Sequence, residues 1–185
     1  MTKPKPKVLF DTPDKELNGY EEIEMMYRLM VAALQNDSSR VISYRMPQRT
    51  LLASIGASIS NPHVVSHYSF GVGSATEAAS RKRDDAHAKL LAGLLDQLKK
   101  TKEVDGSSLF DNVTLAFGSN TRSIHYLDNC PTLLAGGGAN IKLGHNIVLK
   151  DGTPLNNVWL TLLQASGVKV DSHGDSTGTI KALMA

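Results

Sequence analysis

The segment Val113-Thr114-Leu115-Ala116-Phe117-Gly118-Ser119-Asn120 dominates the fold prediction. Its first five residues form an almost uninterrupted apolar run, which is typical of a strand covered on both faces. Thr132-Leu133-Leu134-Ala135 repeats this pattern before Gly136-Gly137-Gly138. Because long helical segments between strands imply crossover connections, we expect an α/β fold with a mostly parallel sheet flanked by helices. In such folds the ligand crevice lies at the carboxyl ends of the strands, which is where both glycine-containing segments would sit.

Three helices are predicted from apolar residues that recur at helical spacing. The first covers residues 20–35 and the second residues 76–100. The third begins with Thr153 as N-cap and Pro154 at the first helical position, and Gly167 ends it. These helices would cover the faces of the sheet.

Two further strands and the domain boundaries follow from the same pattern. Residues 41–44 and 168–170 are short β-branched runs that favour strands. Residues 1–19 are rich in Lys, Pro, Asp and Gly and predict an extended N-terminal arm. No linker or internal repeat divides the remainder, so residues 20–185 are predicted to form a single domain.

The composition excludes several classes of function. The formal net charge is only +2 and aromatic residues make up 5%, which disfavours nucleic-acid binding. No stretch approaches the roughly 20 apolar residues of a membrane helix, so we expect no membrane span. Cys130 is the one cysteine, which excludes a disulfide within the chain and a cysteine-based zinc site.

The sharpest local motif holds two histidines in the segment Asn61-Pro62-His63-Val64-Val65-Ser66-His67-Tyr68. If Asn61 caps a helical turn that begins at Pro62, His63 and His67 project from the same face. Two neutral imidazoles and a third nitrogen or oxygen ligand would suit zinc or a similar divalent ion. On spacing alone, capping or a bond to a buried carbonyl is the favoured role for these rings.

His125 is the candidate third ligand, because it lies on the loop between the two central strands. His87, His145 and His173 have no comparable context and are assigned to supporting or surface roles. The Gly136-Gly137-Gly138 segment lacks the Lys and Ser/Thr of a phosphate-binding loop, so a tight turn is favoured there.

Four polar residues are expected to support the ligands or to contact a bound anion. Ser66 and Ser119 are conceivable nucleophiles, but neither lies in a G-x-S-x-G turn. Tyr68 and Asn120 complete this set. A capped turn is favoured for Gly174-Asp175-Ser176-Thr177-Gly178, with an anion-binding nest as the alternative.

Residues 63–68 resemble the motif that gives the HXXSHH family its name, with tyrosine in place of the last histidine. Members of that family have no settled activity. The resemblance extends over nearly the whole chain. It includes Leu34 through Asp37 with Arg40-Val41, Asp105 through Leu109, Gly118 through Asn120, His125, Pro131 through Gly138, and Gly174 through Gly178.

The resemblance implies that the chain corresponds to the C-terminal portion of longer family members. Their upstream half often begins with a twin-arginine export signal, which suggests an exported or periplasmic location. That half is absent here, so we expect a fragment, a separate subunit, or a chain that a partner or a second copy completes.

The family is in turn distantly similar to the alkaline phosphatase and sulfatase superfamily, a doubly wound α/β fold with a metal cluster at the strand ends. That similarity implies an alkaline-phosphatase-like fold and supports His125 as a metal ligand. The Asp-His pair of such enzymes is replaced here by Ser119-Asn120, and their nucleophile would lie upstream of Met1. We therefore expect a divalent-metal-binding module that is hydrolytic at most with its missing half. The alternative is a non-catalytic structural or protein-interaction module.

Overall fold

The structure, a computed structural model, describes residues 13–68, 73–119 and 121–184. The chain folds as two compact units. Unit 1 contains the described part of Met1–Leu109 together with Ser123–Tyr126. Unit 2 contains the described parts of Phe110–Arg122 and Leu127–Ala185. The predicted arm over residues 1–19 lies mostly outside the described residues.

Helix α1 (Gly19–Gln35) begins at a capping box and opens unit 1. The Asn18 side chain accepts hydrogen bonds from the backbone N–H groups of Tyr20 and Glu21, and the Glu21 carboxylate accepts one from the Asn18 N–H. These bonds satisfy N–H groups that have no partner within the helix. The buried face of α1 is built from residues spaced about one turn apart, namely Gly19, Ile23, Tyr27, Val31 and Ala32.

Three more helices complete unit 1: α2 (Gln48–Ser54), α3 (Pro62–Ser66) and α4 (Ala75–Lys100). Helix α1 packs against α2 and α4, and α3 packs against α2 and α4. Burial of apolar surface drives this packing. Leucines at the helical spacing predicted for α4 are buried, namely Leu90, Leu91, Leu94 and Leu98.

Unit 2 contains the only sheet of the described residues. Strands β1 (Leu115–Gly118) and β2 (Thr132–Ala135) pair antiparallel, with Leu115 opposite Ala135 and Gly118 opposite Thr132. Helical residues make up 46% of the described chain. The predicted mostly parallel sheet flanked by helices, and with it the alkaline-phosphatase-like fold, is therefore wrong.

The physical reason lies in the connections between the strands. A parallel pair needs a crossover connection, which is usually a helix. Between β1 and β2 the described chain holds only the short 3-10 turn Ser123–His125, so the chain reverses direction. Residues 41–44 form no strand, so α4 does not join two strands. The ends of the antiparallel strands consequently place Gly118 and Gly136 at opposite ends of the hairpin, rather than at one shared edge.

The remainder of unit 2 packs around helix α6 (Asn156–Ala165), and the short helix α5 (Leu109–Asn112) precedes β1. Helix α6 begins two residues after the predicted start at Pro154, with Leu155 as N-cap, and Gly167 follows its C-terminal end at a φ of 84°. The predicted strand over residues 168–170 is absent. The core of unit 2 consists of Val158, Ile180 and Leu183, with Leu134, Ile147, Leu155, Trp159 and Leu162 packed against them.

The C-terminal segment is attached to α6 by side-chain hydrogen bonds. Asn157 accepts a bond from the Thr177 backbone N–H at 2.8 Å and donates to the Thr177 hydroxyl at 3.1 Å. The buried Thr161 hydroxyl accepts a bond from the Ile180 N–H at 2.8 Å. These bonds satisfy polar groups that burial would otherwise leave unpaired. Among the described helices, none has the length and apolar character needed to cross a bilayer.

Candidate metal centre

Helix α3 places the first two histidines of the site. The Asn61 side chain accepts a hydrogen bond from the His63 backbone N–H at 3.1 Å, and Pro62 occupies the first turn. The helix ends at Ser66, and the next residue, His67, caps it with a backbone N–H that donates to the Val64 carbonyl. The predicted cap and helical turn are therefore confirmed, and they bring the His63 and His67 rings together, with centroids 4.8 Å apart.

Val65 anchors this short helix to unit 1. Its side chain is fully buried and packs in a cluster with Leu52 and Ala79. Because Val65 lies between the two histidines in sequence, its burial turns both rings away from the core. His63 is exposed and His67 is half-buried.

His125 reaches the same place from a turn far along the chain. The turn Ser123–His125 contacts α3, and its first residue is buried, with 2% of Ser123 exposed. Ile124 and His125 both have positive φ values, 58° and 65°. Such a conformation is rare for a β-branched residue such as Ile124.

The three imidazoles form one cluster within unit 1. The Nε2 atoms of His67 and His125 lie 3.2 Å apart. The His125 ring centroid lies 5.1 Å from those of both His63 and His67. One ligand atom from each ring can be chosen so that all three lie within 4.8 Å of one another. The three histidines predicted from sequence therefore lie close enough to bind one metal ion.

These distances fit the geometry of a zinc site. Zn–N bonds of 2.0 to 2.1 Å at tetrahedral angles place two ligand nitrogens about 3.3 Å apart. The Nε2–Nε2 distance of 3.2 Å between His67 and His125 agrees with this value. The ligand atoms of all three rings lie within 4.8 Å of one another, which is a wider limit, so a ring must move closer before one ion contacts all three.

The charge of the three donor groups determines which further ligands a bound ion would attract. All three donors are imidazoles, and the cluster among the described residues contains no carboxylate. A divalent ion held by three neutral rings keeps its full charge of +2, which favours water or an anionic group at any remaining position. Three ligands with one open position is the pattern of reactive zinc sites, whereas structural sites are closed by four protein ligands.

The structure places three of the four predicted supporting residues. The Ser66 hydroxyl donates to the His63 carbonyl at 2.6 Å, so it stabilises the α3 turn. Tyr68 is half-buried directly after His67. Ser119 belongs to unit 2, where its hydroxyl accepts a hydrogen bond from the Thr121 N–H at 3.2 Å. Asn120 lies outside the described residues.

The other three histidines do not belong to the cluster. His145 is exposed and lies with Nδ1 3.2 Å from the Leu143 carbonyl. His173 is exposed in the C-terminal segment, where its backbone N–H donates to Ser176. His87 is half-buried on α4, and burial together with the positive charge of Arg83 lowers the pKa of its ring.

The glycine-rich segment after β2 is a close-packed turn, as the sequence favoured. The Gly137 and Gly138 N–H groups donate to the Phe110 and Val113 carbonyls. A Cβ atom on Gly138 would lie 2.6 Å from the Asn112 carbonyl oxygen. Since both of these N–H groups already have backbone partners, the segment is not preorganised to bind an anion.

The left-handed turn that positions the His125 ring was not predicted from the sequence. Ile124 carries no local signal for a positive φ, because glycine and asparagine are the residues that usually adopt it. Sequence reasoning also missed α2, whose seven residues are too few for a clear period.

Comparisons with protein-family models, with curated proteins and with solved structures each found no match to this chain. The resemblance to the HXXSHH family therefore stays a prediction, and the interpretation of the site rests on its geometry.

Proposed function

We propose that this chain is a divalent-metal-binding module in which His63, His67 and His125 bind one ion. The observation that carries the proposal is the 3.2 Å separation of the His67 and His125 Nε2 atoms, with His63 beside them. Two imidazole nitrogens approach so closely only when a proton or a cation lies between their lone pairs. A third ring, with a ligand atom within 4.8 Å of the other two, favours the cation.

Zinc is the ion that these donors suit best. Imidazole nitrogen is a common zinc ligand, and a tetrahedral arrangement accounts for the nitrogen spacing. Calcium and magnesium prefer oxygen ligands, which this cluster lacks. When bound, zinc would supply Lewis acidity at an open coordination position. The protein's own part is to hold three rings at one exposed point of unit 1.

Zinc affinity of histidine variants tests this function. Chelator-stripped protein is dialysed and titrated with zinc in competition with a chromophoric chelator. Wild type should bind one zinc ion per chain. His67→Ala and His125→Ala should each weaken binding on the order of 100-fold or more, because each removes a ligand.

His145→Ala is the matched control, because it removes an exposed histidine that is outside the cluster. It should bind zinc as wild type does. Equal zinc affinity in wild type, His67→Ala and His125→Ala would refute the proposed site, as would the absence of zinc binding to wild type.

A further inference from the structure

We infer that metal binding at this site is a conformational switch for the segment Ser123–Tyr126. With the ion bound, the His125 end of the segment is held against unit 1 beside α3; without the ion that end is released, while Ser123 remains buried in unit 1. The inference rests on the proposed function, because the bound metal is what holds the segment in place. It adds to the metal site a segment whose position depends on the metal.

The first support is the place of the segment in the chain. Its four residues belong to unit 1, whereas Arg122 before it and Leu127 after it belong to unit 2. His67 and His125 are 58 residues apart in sequence. The contact between these two rings therefore joins parts of the chain that are distant in sequence. A metal ion shared by the two rings would strengthen that contact.

The second support is the backbone of the segment. Ile124 has φ 58° and ψ 31°, and His125 follows with φ 65°. Two consecutive non-glycine residues in the left-handed region are strained, and strain of this kind persists only where surrounding interactions enforce it. The strain lies at the third ligand itself. Binding of His125 to a metal would therefore stabilise this strained backbone conformation.

The third support is the contact that the His125 ring makes with His63 and His67. The pinned ring meets His67 at 3.2 Å and faces the exposed His63 ring, so the contact that it makes there is between imidazoles. Without an ion the exposed His125 ring can hydrogen-bond equally well to water, so its contact with the other two rings is weak. The same rings around an ion supply coordination bonds, which makes the position of the segment depend on the metal.

Hydrogen–deuterium exchange measured by mass spectrometry tests the switch. Peptides that contain Ser123–Tyr126 are followed in chelator-stripped and zinc-saturated wild type, and bound zinc is quantified in the same samples. The Tyr126 N–H, which donates to the Ser123 carbonyl, reports closure of the turn. Zinc should slow exchange in the segment at least about tenfold, since opening would then require loss of a ligand.

Two variants complete the experiment. His125→Ala with added zinc should exchange like stripped wild type in this segment, and His145→Ala should respond to zinc like wild type. If wild type retains zinc and the segment exchanges at the stripped rate, the switch is refuted and the metal site stands. If wild type retains no zinc, both the site and the switch are refuted.

Discussion

Ile124 and His125 are adjacent residues that combine an unusual backbone conformation with a close contact between rings. Both have left-handed backbone conformations, and the second provides the ring nitrogen that lies 3.2 Å from its counterpart in His67. A strained backbone costs stability and is found where function requires a fixed geometry. The conformation of these two residues is therefore the feature most directly linked to the proposed metal site.

Replacing Ile124 with asparagine should tighten zinc binding about three- to tenfold. Asparagine adopts positive φ values more readily than a β-branched residue, so less strain accompanies pinning of the segment. Competition titration of Ile124→Asn against wild type measures the effect. Ile124→Val, which keeps the β-branch, is the control and should bind like wild type. Equal zinc affinities for all three proteins would show that zinc binding does not depend on backbone strain at residue 124.

His87 should contribute to the loss of stability in mild acid. Burial lowers the pKa of its ring below the ordinary value of 6.5, and Arg83 lowers it further. The unfolded chain therefore binds a proton at a higher pH than the folded chain does. The stabilising contribution is complete above about pH 6.5 and is lost as pH falls through the lowered pKa.

Urea unfolding of chelator-stripped protein at about pH 7.5 and pH 5 measures this loss. The decrease in free energy of unfolding should be smaller in His87→Gln than in wild type. His173→Gln removes an exposed histidine and should behave like wild type. An identical decrease in wild type and His87→Gln would contradict the role of the buried ring.

At the scale of elements, helices with strong local signals were predictable. The structure places α1 at Gly19–Gln35 and α4 at Ala75–Lys100, within one residue of both predicted starts. The buried face of α1 was less predictable. It includes Tyr27 and Val31, whereas the apolar Met26 of the same helix is 38% exposed. Several faces of α1 carry apolar residues, so the positions of α2 and α4 decide which one is buried.

Helix α3 has only five residues, so its N-cap should control zinc affinity. Asn61→Ala removes the acceptor for the His63 N–H, which costs about 1 kcal/mol and should weaken zinc binding about fivefold. Asn61→Asp keeps an acceptor and should restore binding. Asn18→Ala, which removes the cap of α1, should lower stability and leave zinc affinity unchanged. Undiminished affinity in Asn61→Ala would contradict this role.

Two glycine-to-alanine substitutions should change stability in opposite directions. The added methyl group of Gly138→Ala would lie 2.6 Å from the Asn112 carbonyl oxygen, so the turn must shift and unit 2 should lose about 1 to 3 kcal/mol. Gly93→Ala adds a methyl group in helix α4 with no atom within 4 Å, and should gain about 0.5 to 1 kcal/mol. Urea unfolding measures both, and a stable Gly138→Ala protein would contradict the close packing.

At the scale of the whole molecule, the order of elements was more predictable than their assembly. β1 and β2 lie where the apolar runs indicate, but they pair antiparallel, and residues 41–44 remain outside any sheet. A strand's apolar run indicates burial, whereas the direction of pairing depends on the connection to its neighbour. That dependence is not local, which explains why the predicted parallel sheet was wrong.

The three histidines lie close together as predicted, although the predicted parallel sheet was wrong. The expectation placed His125 at a sheet edge, whereas the structure brings it to α3 by a turn that returns to unit 1. The spacing of His63 and His67 was a local signal and was sufficient for that pair. The approach of His125 depends on the tertiary fold and could not be derived from spacing.

X-ray absorption at the zinc edge of the loaded protein tests whether all three histidines bind the ion. We expect one zinc ion per chain with three imidazole nitrogens at 2.0 to 2.1 Å, as in tetrahedral zinc sites. In His125→Ala the imidazole scattering should fall to two rings or the ion should be lost. A wild-type spectrum with fewer than three imidazoles, or a spectrum unchanged in His125→Ala, would refute the three-histidine site.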